Sequence, residues 1–431
     1  MRSCYTGRLA DGLLGSNDVS STLRTRPFRV ILLASGLSAF GDELALIALT
    51  IRVADQTKST WVVAALLITG LAPLVIFAPL AGLVADRVNR AKLLAAATFV
   101  QACLAGGLAF AHSVPAILVL SFGLGVGFAF AQPATFALVP AIAGLDRVTE
   151  ANGYLQTAGY IGGVLGPFAA GVIVAGPGSA PALLFDALSF LVIGGAALTL
   201  KVGAPSLDAA GSAAGERKER ARDGLSFILR DRLLLLITAT VGTLVLFAAT
   251  VTVAEVFFAK DAPPRGLAAG DLGFGILATC WMLGMVFGAT VVARRLPPRA
   301  LAFAILAGAV GGGGAIALAG ISPNLPLAAA MFALGGVANG VENVAGRSLI
   351  HHRVPDRLRG RVFSAYAAVV VGTQLGATGL GGLVVHALGP RHTLQVGGVG
   401  GALAGLAGLI WYSRLSPASR RMDVADSHRS G

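Results

Sequence analysis

Acidic side chains occur inside several otherwise apolar stretches of this chain, where an ionisable group is unfavourable and usually faces a pathway. A carboxylate in such a place binds and releases protons near neutral pH when partial burial raises its pKa. The candidates for a proton-coupling group are Asp42, Glu43, Glu255 and Glu342. Their placement predicts a polar pathway or cavity between the apolar stretches, in which these carboxylates are candidates to bind protons.

The neighbouring acids Asp42 and Glu43 lie about 100° apart around a helix, so they face different surroundings. Asp42 follows Ser35 and Ser38 by seven and four positions, which places the three on one helical face. This polar face favours Asp42 as the proton-linked carboxylate that points into a cavity. Glu43 is the alternative carrier, and a structural role for both acids is the third interpretation.

A later apolar stretch carries a polar stripe at four-residue spacing, formed by Asn339, Asn343 and Arg347. Together with the adjacent Glu342 it is expected to face the bundle interior, either as substrate contacts or as a buried structural network. Glu255 follows Thr252 by one helical turn. It is interpreted either as a second proton site or as a carboxylate that faces water.

These residues lie within apolar stretches of about 20 residues, the length that crosses roughly 30 Å of hydrocarbon. Of the 431 residues, 55% are hydrophobic and 13% are charged, whereas soluble proteins carry about 25% charged residues. The sequence therefore predicts an all-α membrane protein with twelve transmembrane helices. The spans are expected at 28–54, 60–85, 91–112, 115–142, 149–176, 180–201, 232–259, 268–293, 300–321, 324–350, 360–388 and 391–413.

The largest hydrophilic gap divides the twelve spans into two groups of six. The predicted regions are an N-terminal tail (1–27), an N-terminal six-helix bundle (28–201), a linker (202–231), a C-terminal six-helix bundle (232–413) and a C-terminal tail (414–431). The second part of the linker, 216–230, mixes charged and apolar residues. It is interpreted as a short helix at the membrane surface or as a solvated charged segment.

The distribution of basic residues predicts the orientation, because Lys and Arg are retained on the cytoplasmic side of a membrane. If both chain ends lie on that side, all but five of the 33 Lys and Arg residues lie there too. The five on the opposite side would be Arg52, Lys58, Lys260, Arg265 and Arg391. We therefore expect cytoplasmic termini, and a cytoplasmic linker and tails, in a multi-pass protein of the cell membrane.

Pairs of glycines four residues apart recur inside the spans, and such pairs let helix backbones approach closely in lipid. We expect tight helix packing rather than ligand binding at these positions. The pairs are Gly123 and Gly127, Gly162 and Gly166, Gly284 and Gly288, Gly336 and Gly340, and Gly372 and Gly376.

Other classes of function lack the residues that they require. The net charge of +12 is spread over short loops without a contiguous basic face, so no nucleic-acid partner is expected. The three cysteines are far apart in the sequence, and no Gly-Lys dipeptide exists to form a P-loop. We expect no enzyme activity, no cofactor and no metal, and a monomer in the lipid bilayer.

The loop after the second span carries a glycine, an acid and two arginines: Gly82, Asp86, Arg87 and Arg90. By its chemistry it is a charged turn in which Asp86 pairs with cations or with a facing helix N-terminus. It also resembles the gating-loop signature of the major facilitator superfamily, Gly-x-x-x-Asp-Arg-x-Gly-Arg-Arg/Lys. Asn89 replaces the second glycine, where left-handed backbone geometry is expected, and Ala91 interrupts the final basic pair.

The fifth span contains a Gly-Pro motif that resembles the antiporter motif of exporting members of that superfamily: Gly162, Gly163, Gly166, Pro167 and Gly171. A kinked packing helix without directional meaning is the alternative. Three further segments, 40–42, 185–190 and 354–363, resemble the enterobactin-exporter and macrolide-efflux branch. The absence of a basic residue from 115–142 also fits this branch better than the better-known multidrug branches.

The resemblance implies the major facilitator fold, in which two bundles expose a central cavity to each side of the membrane in turn. It further implies efflux of an amphiphilic small molecule, such as a drug, a siderophore or a secondary metabolite, in exchange for protons. An uptake symporter of the same fold and a membrane sensor or scaffold that does not transport are the alternative functions.

Overall fold

The computed structural model describes residues 25–144, 147–200 and 223–415 together with Leu23. Within these ranges the chain folds almost entirely into helices and forms no β-strand. Of the predicted tails, residues 1–22, 24 and 416–431 lie outside the described residues, and so do residues 202–222 of the predicted linker.

Twelve helices in the described part of the chain are long and apolar enough to cross a membrane, which confirms the predicted fold class. Helix α8 continues through a π-helical turn, Gly288–Val292, and a 3-10 turn, Ala293–Arg295. The helices are α1 Arg26–Thr57, α2 Thr60–Arg87, α3 Arg90–Phe110, α4 Val114–Ala143, α5 Val148–Ala175, α6 Ala180–Leu198, α7 Arg232–Lys260, α8 Gly270–Phe287, α9 Leu301–Ile321, α10 Leu325–Arg353, α11 Asp356–Leu388 and α12 Pro390–Arg414.

The helices alternate in direction, so each end of the bundle collects a defined set of connections. We call the end that holds Arg26 and Arg414 the terminal face, and the end that holds Thr57 and Lys260 the distal face. We call helices α1–α6 the N-half and helices α7–α12 the C-half. Large apolar side chains cover the outside, among them Leu33 at 74% exposure, as expected for a surface in contact with lipid.

Polar side chains cap the starts of several helices. The carboxylate of Asp231 accepts hydrogen bonds of 3.0 Å from the amides of Leu233 and Leu234 at the start of α7. The Asn89 side chain accepts from the amides of Ala91 and Lys92 at the start of α3. Asn89 has φ −62°, so the expected left-handed backbone was wrong; an N-cap residue takes extended geometry instead.

Reciprocal glycine pairs join helices α8 and α10. A side chain on Gly336 or Gly340 would collide with the backbone oxygens of Trp281 and Met285, respectively. Conversely, Gly284 and Gly288 of α8 approach the backbone of Ala333 and Val337 on α10. The predicted tight packing at these two pairs is confirmed, because only glycine allows the two backbones to come this close.

The pair Gly372 and Gly376 on α11 was wrongly expected to support a helix contact. A Cβ atom at either position would meet no atom within 4 Å. The spacing of two glycines allows close approach, but it does not determine whether a neighbouring helix lies on that side.

The apolar core shows how the halves are joined. One large cluster combines residues of both halves, such as Leu44 and Ala64 with Phe258 and Leu277, all toward the distal face. Near the terminal face the buried clusters belong to one half each, around Leu94 in the N-half and around Leu349 in the C-half. The halves therefore pack together at the distal face and separate toward the terminal face.

The second part of the predicted linker is helical over 223–230, and this linker helix packs on the C-half. Its Ile228 is 2% exposed in the core cluster near the terminal face. The guanidinium of Arg361 pairs with the Asp223 carboxylate at 2.5 Å. Residues 216–222 of the predicted surface helix lie outside the described residues.

The glycine contacts predict different effects of the same substitution on two helices. Gly340→Ala should lower the melting temperature of the purified protein, because the new methyl group overlaps α8 and overpacking destabilises by about 1–3 kcal/mol. Gly376→Ala should leave the melting temperature unchanged or raise it slightly, since alanine favours helices by about 1 kcal/mol over glycine. Thermal unfolding followed by static light scattering measures both, and equal shifts would contradict the interlocked arrangement.

Candidate functional site

A cavity of about 920 Å³ lies between the halves, lined by helices α1, α5 and α7–α12. Its wall extends from Glu255, near the distal end of α7, to Ser364 in the early part of α11. Because the halves are joined at the distal face, the cavity opens toward the terminal face. A volume of this size suits a drug-sized organic molecule.

Three of the four predicted proton-coupling acids line this cavity: Glu43, Glu255 and Glu342. They come from both halves, with Glu43 on α1 and the other two on α7 and α10. Glu342 is 8% exposed, and its carboxylate has no hydrogen bond or ion pair within the residues that the structure describes. A carboxylate in this state retains its capacity to bind a proton or a cation.

Asp42 is not among the residues that line this cavity. The cavity side of α1 is formed by Glu43, Leu46 and Ile47, and the face with Ser35, Ser38 and Asp42 is rotated away from it. Beside this second face, Gly41 approaches Asp186 and Ser189 of α6 so closely that an added Cβ would lie 2.7 Å from a carboxylate oxygen of Asp186. The polar-face argument therefore selected the carboxylate of this pair that lies outside the cavity wall.

The predicted stripe on α10 does line the cavity. Asn339, Asn343 and Arg347 all contribute to its wall. The Asn343 side-chain amide donates to the backbone oxygen of Asn339 at 2.9 Å and to its side-chain oxygen at 3.2 Å. The stripe thus combines an internal hydrogen bond with groups that face the cavity.

Several polar or aromatic wall residues had not been selected from the sequence, among them Trp281, Tyr366 and Gln374. The Trp281 ring lies against Gly335 and makes an edge contact with Phe332 at a centroid distance of 6.4 Å. These contacts hold the indole in place as part of the wall. The signal available in the sequence was a single polar or aromatic residue within an apolar span. Such residues also face lipid or neighbouring helices, so this signal does not by itself identify the cavity wall.

The Gly-Pro motif of α5 makes contacts on two sides. Gly162 and Gly166 pack against α1, where an added Cβ on Gly166 would lie 2.7 Å from the Cβ of Glu43. Gly171 and Pro167 pack against Gly275 of α8, across the boundary between the halves. The motif therefore positions the helix that carries Glu43 and also contributes to the contact between the halves.

The loop that resembles the superfamily signature lies at the terminal face. Arg90 donates a hydrogen bond of 3.2 Å to the backbone oxygen of Ala137 on α4, and Arg87 is exposed. Gly82 is half-buried in α2, and Asp86 lies in the last turn of that helix. The side-chain surroundings of Asp86 are not described, so its predicted pairing stays a prediction.

Charged and polar contacts close the distal face between the halves. The Lys260 ammonium on α7 pairs at 2.5 Å with both Asp55 on α1 and Asp271 on α8. The Thr60 hydroxyl on α2 donates a 2.7 Å hydrogen bond to the backbone oxygen of Gly382 on α11. We call these two groups of contacts the distal seal.

The loop after α7 adds a further charge contact beside the distal seal. Burial raises the pKa of the Asp261 carboxyl, while the nearby cations of Arg265 and Lys58 oppose this rise. The Lys58 side chain is 76% exposed, so water screens its attraction to ionised Asp261 and this contact adds little to the distal seal.

Two arginines near the distal face satisfy backbone carbonyls at helix ends. Arg52 donates to the carbonyl oxygens of Leu108 and Ala111 at the end of α3. Arg391 donates to the carbonyl oxygen of Ser322, at the end of α9, at 2.8 Å. It also donates to the carbonyl oxygen of Gly266, in the loop after α7, at 3.0 Å. These contacts explain why both cations are tolerated beside apolar spans, since helix C-termini attract positive charge.

Twelve membrane-crossing helices in two halves, with a largely apolar cavity between them whose wall contains three carboxylates, define a multi-pass transport protein of the cell membrane. The family model described as Major Facilitator Superfamily matches residues 31–372. The chain belongs to this superfamily.

Relatives and solved structures agree with this assignment. The chain is 27% identical over 375 residues to the enterobactin exporter EntS of Shigella boydii serotype 4 (strain Sb227), a match that covers 84% of this chain and 86% of the relative. Its fold is similar to the nucleoside transporter NupG, with a TM-score of 0.74, 13% identity and coverage of 91% and 100% of the two chains. A bacterial homologue of the iron transporter ferroportin in an inward-facing state gives a TM-score of 0.70 at 16% identity, with coverage of 90% and 99%.

The distal seal predicts that loss of one cation opens the closed face. In Lys260→Met the carboxylates of Asp55 and Asp271 lose their shared partner, so the closed arrangement should weaken by about 1 kcal/mol, roughly a fivefold change in population. A cysteine at Ala64, buried against Gly382, should then react about fivefold faster with a membrane-impermeant maleimide in a background without native cysteines.

The matched control for this measurement is Lys58→Met. Lys58 also lies near Asp55, at 3.5 Å, but its side chain is 76% exposed, so its loss should change the labelling rate little. Equal labelling rates in the two variants would show that the Lys260 contacts do not hold the distal face closed.

Proposed function

We propose that the protein is a secondary active exporter that expels an amphiphilic small molecule from the cell in exchange for protons. The observation that carries the proposal is the cavity between the halves, whose wall contains the carboxylates of Glu43, Glu255 and Glu342. Apolar wall residues offer contact to the body of an amphiphile, while the carboxylates offer sites for protons.

The direction of export has separate support. The relative named enterobactin exporter is similar over most of both chains, and the α5 segment resembles the motif of exporting members of the superfamily. If the terminal face is cytoplasmic, as the distribution of Lys and Arg predicts, the cavity opens toward the cytoplasm. An exporter binds its substrate in this conformation.

In the proposed cycle the cavity is exposed alternately at the two faces. Substrate enters from the terminal face, the halves then close there, and the distal seal breaks to release substrate to the outside. Protons enter from outside, bind the wall carboxylates and leave to the cytoplasm after the halves return. Glu43 is the proposed carrier in the N-half, because it lines the cavity where Asp42 does not.

The experiment uses inverted membrane vesicles that contain the protein and an imposed proton gradient, interior acidic. Addition of a transported compound should release protons and reduce the gradient, as measured with a pH-sensitive dye, and a compound screen would identify the substrate. Accumulation of that substrate inside the same vesicles establishes export, whereas its movement outward with protons would establish uptake symport. Absence of any substrate-dependent proton movement would reject proton antiport.

The neighbouring acids of α1 provide a matched pair for this assay. Glu43→Gln should reduce substrate-dependent proton movement at least about tenfold, because the amide does not exchange a proton in the cavity. Asp42→Asn should retain most of it. The reverse pattern would assign the proton to Asp42. If both variants retain substrate-dependent proton movement, neither acid lies on the proton pathway.

A further inference from the structure

The charge balance of the cavity wall identifies a class of substrate. We infer that the cavity takes an organic cation with a large apolar body and rejects organic anions of the same size. This inference rests on the proposed function and narrows its substrate from amphiphiles in general to amphiphilic amines or onium ions. Anionic siderophores are thereby excluded.

Acidic groups outnumber basic groups in the wall. The cavity is lined by three carboxylates, those of Glu43, Glu255 and Glu342, and among the lining residues the one guanidinium is that of Arg347. An organic cation at the centre of the wall is attracted by the acids over short distances, and an anion of equal size is repelled. These acids also surround a space large enough for such a ligand, since the cavity has a volume of about 920 Å³.

The guanidinium of Arg347 does not form an ion pair with the acid nearest to it along α10, although both charges act on the Tyr366 hydroxyl in the same wall. Arg347 follows Glu342 by five residues, which places it about 7.5 Å nearer the terminal face and about 140° around the helix. No ion pair joins the two side chains within the described ranges of the chain. Glu342 is more than nine-tenths buried and contributes to the cavity wall, so a cation in the cavity would be its partner.

The rest of the wall fits the apolar body of such a ligand. Leu244, Ala248 and Met282 line the same space as the acids. The face of an aromatic ring attracts cations, most strongly in tryptophan. Trp281 is held in the wall by Gly335 and Phe332, so its ring is already ordered before a ligand binds.

The experiment compares two ions of nearly equal size and shape but opposite charge. Tetraphenylphosphonium and tetraphenylborate are each dialysed to equilibrium against the purified full-length protein in neutral detergent at pH 8, with protein-free micelles to correct for partition. The wild-type protein should bind tetraphenylphosphonium at least about tenfold more tightly. Equal or tighter binding of tetraphenylborate, or binding of neither ion, would overturn the inference.

Variants locate the site of the cation. Glu342→Gln and Glu255→Gln should each reduce affinity for tetraphenylphosphonium about three- to tenfold, whereas Asp356→Asn should not change it. Asp356 is an acid of α11 whose side chain is 88% exposed outside the cavity. Wild-type affinity in both glutamine variants would overturn the inference. Because two variants are measured, the test still stands if one of them fails to fold.

The binding assay is independent of proton movement. Selective binding of tetraphenylphosphonium without any proton movement in vesicles would reject proton antiport and leave the substrate class standing. Proton movement driven by anionic compounds, with tighter binding of tetraphenylborate, would support proton antiport and reject the cationic substrate class.

Discussion

Close backbone contact between helices is the interaction on which this structure depends. Inside a lipid bilayer, apolar side chains gain little by leaving lipid for a neighbouring helix, so association relies on packing at small residues. Gly284, Gly288, Gly336 and Gly340 bring α8 and α10 together along their length. This contact fixes the positions of Trp281 on one helix and Glu342 on the other, and both line the cavity.

A second consequence of the lipid environment is that charge is placed where a partner or water exists. Arg52 and Arg391 donate to carbonyls at helix ends, and Lys260 pairs with two carboxylates from different halves. The cavity acids differ from these residues, because Glu342 has no such partner within the described residues. An acid of this kind in the wall, next to paired charges elsewhere, supports the proposal that the cavity binds an external charge.

The number of helices and their approximate ends were predictable, because hydrocarbon leaves an apolar chain with few alternatives to a helix. The rotation of each helix was not. For α1, the polar face of Ser35, Ser38 and Asp42 looked like the cavity face, but the approach of Gly162 and Gly166 places Glu43 there instead. Rotation depends on which neighbours approach, and residue spacing within one helix carries no such information, as Gly372 and Gly376 also show.

Helix α5 packs against α1 through Gly162 and Gly166, and against α8 through Gly171. In the proposed cycle the first contact persists, since both helices belong to the N-half, while the second must separate and reform at every turnover. Glycine suits both requirements. A contact made by bare backbone is close, yet its separation uncovers little side-chain surface, so the same short segment can be permanent on one side and reversible on the other.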